Sequence, residues 1–157
     1  MNTRNHHLYG AVSLTMYVAS FFFYAYYDEG IGSGIYGAVC FKNGLVFLLP
    51  VVIMDVFNLS TKYLWIMIWL ANPLYWYAIL CYYRRHHNRG GNFVLAAIAL
   101  GLLFLFVEDV HYGNVTSNSY IIGEKMPGYY LWLSSFFVLF IALLKESLLS
   151  EGERNKD

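Results

Sequence analysis

Two long apolar runs, at about residues 62–83 and 92–108, are joined by Arg84-Arg85-His86-His87-Asn88-Arg89. Positive charge in a short loop between two spanning segments marks the cytoplasmic face of a membrane. Arg84, Arg85 and Arg89 therefore restrict both the class of the fold and its orientation. Composition agrees. Apolar residues make up 59% of the chain and charged residues 13%, against about half and about a quarter in an average soluble protein. The aromatic share of 20% suits surface held at headgroup depth, where a ring stays apolar and its polar tip meets water. Net charge is zero, so no global field gathers nucleic acid. The expected partner is the lipid bilayer, with a membrane-protein partner or further copies of the chain against the helix faces or outer loops.

Five apolar stretches follow one another. Those at about 8–27, 62–83, 92–108 and 128–145 approach the length needed to cross a ~30 Å hydrocarbon core. The fifth, at about 45–57, is short and carries Pro50 and Asp55. That length fits an interfacial or re-entrant segment better, and extending it backwards would place Lys42 inside a span, which is costly. The fold expected is an all-α polytopic bundle of four transmembrane helices plus this one short segment. It occupies 1–146, with a cytoplasmic tail over 147–157. A five-helix reading, with the N-terminus outside, shares every charge except Arg4 and Lys42; segment length favours four helices and a cytoplasmic N-terminus. Both readings keep the C-terminus cytoplasmic. The first run is about 20 residues long and lacks a small-residue cleavage site after it, so it reads as a retained span rather than a signal peptide.

Trp69-Leu70-Ala71-Asn72-Pro73-Leu74, the basic turn, and Pro127-Gly128-Tyr129-Tyr130-Leu131-Trp132-Leu133-Ser134-Ser135 together resemble a group of small bacterial membrane proteins of unknown function. The resemblance covers roughly residues 44–144. It implies four spans and a bacterial inner membrane, and it implies no activity.

Few residues invite chemistry. Asn72-Pro73 lies near the middle of the second run. Proline removes a backbone hydrogen bond, so a kink is expected there, with Asn72 bonded across to a neighbouring helix. A polar hinge or ligand contact is the sharper reading, and packing is preferred. Asp55, an ionisable group beside an apolar run, is a candidate for moving protons or cations; if the segment lies at the surface, Asp55 is merely hydrated. Glu108, Asp109 and His111 form a weak polar cluster on the outer side. Glu108 and His111 share a face only if the third helix continues through them, and a solvated helix end is the simpler reading. His6-His7 and His86-His87 are adjacent pairs, which diverge by about 100° on a helix, so headgroup contact is preferred over a metal site. Cys40 and Cys81 fall near opposite faces and are not expected to bridge. No catalytic set, cofactor site or metal site is expected. The role expected is that of a non-enzymatic accessory, interaction or immunity-like protein, with an oligomeric small transporter or channel using Asp55 and the Asn72-Pro73 kink as the alternative.

Overall fold

The computed structural model describes residues 3–29, 31–54, 68–107, 109–111 and 119–154. Asp55, Glu108 and the ends of the runs at 45–57 and 62–83 lie outside these residues. Helix α1 (Thr3–Ser20) starts before the apolar run at 8–27 and stops seven residues short of its end. The Ser20 hydroxyl donates to the Tyr17 carbonyl at 2.6 Å, and Phe21 and Phe22 close tight turns onto Val18 and Ala19. The chain then enters Phe21-Phe22-Phe23-Tyr24-Ala25-Tyr26-Tyr27. Bulky aromatics favour a pleated strand, so strand β1 (Tyr24–Asp28) replaces the end of the expected span. Tyr24, Tyr26 and Tyr27 are strand residues rather than a girdle at a helix end.

β1 turns back into β2 (Ser33–Tyr36). The Asp28 carboxylate accepts from the Ile31 amide at 3.2 Å, and Gly32 takes the left-handed φ of 72° that the turn demands. On its other side β1 pairs antiparallel with β4 (Ser119–Lys125), Tyr26 opposite Lys125 and Asp28 opposite Ile122. β4 in turn pairs with β3 (Asp109–His111). The result is one four-stranded sheet in the order β2-β1-β4-β3. The protein is thus mostly helical with a small sheet, and the all-α expectation is corrected. The β1–β2 and β3–β4 hairpins thus meet through the pairing of β1 with β4.

Helix α2 (Gly37–Met54) corrects the short segment at 45–57. It starts eight residues earlier and runs straight through Lys42-Asn43-Gly44. Its first amides, Gly37 and Ala38, donate to the Phe23 and Phe21 carbonyls, so the start of α2 is capped by the chain leaving α1. Lys42 is exposed. A Cβ at Gly44 would overlap the Trp69 ring; glycine here lets α2 lie against that indole, whose Nε1 donates to the Phe41 carbonyl at 3.1 Å.

Residues 68 and 69 are helical, Leu70 is a turn, and α3 spans Ala71–Tyr83. Pro73 therefore lies in the first turn of α3, not mid-helix, and the break falls three residues before it. The α3–α4 turn closes as a Schellman motif: Arg85 N–H donates to the Tyr82 carbonyl and His86 N–H to that of Cys81. Arg85 occupies the left-handed position, φ 61°, that usually belongs to glycine. Helix α4 (His87–Leu103) continues as a 3-10 turn over Phe104–Phe106. Helix α5 (Pro127–Arg154) starts with proline where its missing N–H is not needed. At 28 residues it outruns the span at 128–145 and converts most of the expected tail into helix. Ser147 on that extension donates to Asn88 at 2.6 Å.

α5 packs against α1 and α4, and α4 against α3; hydrogen bonds from Tyr17 to α3 complete a four-helix bundle. The core contains Tyr17, Tyr75, Tyr82, Val94, Phe136 and Leu139. One end of the bundle carries the Arg84–Arg89 turn, beside which His7 stacks on Tyr83 and Lys145 lies over the Tyr9 ring. The sheet covers the other end. Among the described residues, two segments, His87–Phe106 and Pro127–Leu149, are long and apolar enough to cross a membrane. Only 28% and 33% of their apolar windows is buried, whereas the core helix of a soluble protein is mostly covered.

Candidate functional site

Polar side chains converge where α1, α3 and α5 meet. Ser13, Tyr17 and Ser20 recur at the three- and four-residue spacing that puts them on one face of α1, and all three are buried. Tyr17 donates its hydroxyl proton to Asn72 Oδ1 at 2.8 Å and accepts from Trp76 Nε1 at 3.3 Å. Trp132 Nε1, on α5, donates to the same Asn72 oxygen at 2.9 Å. Nearby, Ser13 donates to the Ser135 carbonyl at 2.8 Å, which leaves the Tyr75 hydroxyl to donate to Ser13. Tyr17 and Tyr75 stack with ring centroids 4.6 Å apart.

Asn72 also repairs the backbone. In a continuous helix the residue at 73 would donate to the Trp69 carbonyl, and proline has no N–H to give. Asn72 Nδ2 donates to that carbonyl instead, at 3.0 Å. The side chain before the proline thus restores the bond that the proline deletes. Without water, such internal satisfaction is obligatory.

Above this network, towards the sheet, lies a half-open cleft of about 100 Å³. Its walls come from the end of α1, from β1, from α2 and from the start of α5; Trp69, Asn72 and Trp132 line it from the bundle. Beyond the cleft, the first hairpin exposes Phe22, Phe23, Tyr24, Ile31 and Tyr36. The Tyr24 and Tyr36 hydroxyls share a hydrogen bond at 3.1 Å. Tyr24 gives up that bond when it ionises, and two phenolates would repel, so its pKa is raised above the ordinary value.

The residues singled out from sequence are distributed unevenly over this frame. Asn72 is at its centre. Pro73 is exposed one residue on. Arg84, Arg85 and Arg89 are exposed together in one turn at the opposite end. Asp109 and His111 lie on β3, so the helical spacing that would have gathered Glu108 with His111 has no helix to act on. Among the described residues no three of His, Cys, Asp and Glu gather as a metal site would require. Tyr17, Ser13, Tyr75, Trp132 and Ser135 were missed; the signal for three of the contributors was the Ser13-Tyr17-Ser20 stripe on an otherwise apolar helix. Comparison with protein-family models, with curated proteins and with solved structures finds no match.

Proposed function

We propose that this chain is a four-span protein of a bacterial cytoplasmic membrane that works by binding, as an accessory, interaction or immunity-like component, rather than by catalysis. The observation that carries the membrane reading is the apolar outer surface of α4 and α5. Leu95, Leu102, Leu103, Leu105 and Phe106 face outward, as do Phe137, Ile141 and Leu144, while Ser135 and Asn72 are turned inward. Lipid rewards that arrangement and water does not. With α1 and α3 as the other two spans, the apolar part of α1, residues 8–20, is about 20 Å long. The Arg84–Arg89 turn then lies in the cytoplasm with both termini, and the sheet lies outside. The bacterial membrane rests on the resemblance of residues 44–144.

The binding role is supported by the first hairpin, whose exposed phenylalanines and tyrosines are the residue types that anchor protein interfaces. A photo-crosslinking residue at Ile31, in the membrane of the producing cell, should capture one discrete partner or a second copy of the chain. Crosslinks to lipid alone would sink the interaction role. Reporter fusions at either terminus that read as extracytoplasmic would sink the orientation. The transport alternative has less support, because the Asn72 oxygen already accepts two hydrogen bonds.

A further inference from the structure

The cleft between sheet and bundle has a composition that restricts what it admits. None of its lining residues is charged, and seven of the fourteen are aromatic. Ionic ligands are thereby disfavoured, since a charge would be desolvated without a partner. Flat aromatic walls favour a flat ring, which meets them edge-on or offset. The size agrees: about 100 Å³, partly open, against the roughly 150 Å³ of an engineered closed apolar cavity that takes up benzene.

The polar capacity of the cleft is lopsided. The Trp132 and Trp69 indole N–H groups are already used, on Asn72 and on the Phe41 carbonyl. The Ser20 hydroxyl donates to Tyr17 and that of Tyr129 to Gly101. Asn72 differs. It is only 6% exposed, its oxygen is doubly engaged, and its nitrogen uses one proton on Trp69. The second amide proton has no acceptor among the described residues. A donor with a proton to spare thus stands among the residues that form the aromatic walls.

We infer that this cleft binds the ring end of an uncharged, lipid-soluble aromatic carbonyl compound, its oxygen accepting the second N–H of Asn72. Such a molecule partitions into the bilayer and needs no charged recognition. An aliphatic chain end would fill the volume and leave the donor unanswered; an anion would meet no cation.

The test titrates full-length protein in mild detergent with acetophenone, and separately with ethylbenzene, which has the same ring and no acceptor, and follows binding by calorimetry. Acetophenone should bind saturably, with an affinity about fivefold or more above that of ethylbenzene, the value of one hydrogen bond. Asn72→Leu should abolish the difference between the probes. No saturable binding, or equal binding of both, overturns the assignment. Where Asn72→Leu fails to fold, the comparison of the two probes on the protein that retains Asn72 decides the matter by itself.

Discussion

The side-chain nitrogen of Asn72 lies 3.0 Å from the carbonyl oxygen of Trp69, and it takes the place of a backbone donor. Asn72→Leu removes that bond and also strands the Tyr17 hydroxyl and the Trp132 indole. Polar contacts between membrane helices are each worth about 1 kcal/mol, so three together should cost about 2–3 kcal/mol. Pro73→Ala supplies the missing N–H at residue 73. The same Asn72→Leu change should therefore cost less in a Pro73→Ala background, by about 1 kcal/mol. Equilibrium unfolding of the four proteins in mixed micelles measures the coupling, and strict additivity would refute the substitution of side chain for backbone.

Arg85 holds a left-handed conformation at the end of α3. A side chain there costs about 1 kcal/mol relative to glycine. Arg85→Gly should raise stability by about that amount, and Arg85→Val should lower it, because branching at Cβ worsens the same clash. Thermal unfolding checks the sign. Arg84 and Arg89 remain in Arg85→Gly, so a reporter fusion should return the same orientation.

Gly44 gives Trp69 its seat on α2. Gly44→Leu would drive a branched side chain into the indole and should cost about 1–3 kcal/mol, the usual range for overpacking. Trp69 emission, read in a chain whose other tryptophans are replaced, should shift as the ring leaves its pocket. Unchanged emission would mean that α2 is not held at this point.

Tyr24 and Tyr36 share a hydrogen bond at the exposed base of the first hairpin. The Tyr24 pKa is raised from its ordinary 10.0. A raised folded-state pKa favours the protonated form, so the pair's contribution is fully present below pH 10 and is lost as pH climbs through the raised value. Tyr36→Phe should bring the Tyr24 titration back towards its ordinary position. Ultraviolet titration of phenolate follows it directly.

Much of the frame is readable from particular residues. The Arg84–Arg89 turn and the apolar runs on either side of it lie where charge and hydropathy put them. Asn72 bonded across the bundle follows from the cost of leaving an amide unmet in an apolar setting. Other elements depend on contacts that local pattern does not contain. Tyr24–Asp28 reads as the end of an apolar helix until β4 arrives from the far side of the chain to pair with it. Lys42 argues against extending the run at 45–57 backwards, and only the seat of Trp69 against Gly44 shows why a helix passes through there. Asp109 and His111 read as a solvated helix end, whereas pairing to Ile121 and Ser119 draws that segment out into a strand. Pairings across long separations carry almost no signature in either partner alone, which is why the mostly helical class is legible in the sequence and the sheet is not.

The pairing of Tyr26 with Lys125 has a consequence for how the molecule is made. Those residues are 99 positions apart, and the chain between them contains α2, α3 and α4. Long closures of this kind come late in folding. The first hairpin must wait, one side unpaired, until β4 reaches the same side of the bundle. Completion of the sheet therefore reports that every intervening segment has taken its place, and a chain threaded the wrong way would leave the edge of β1 open to whatever strand it meets first.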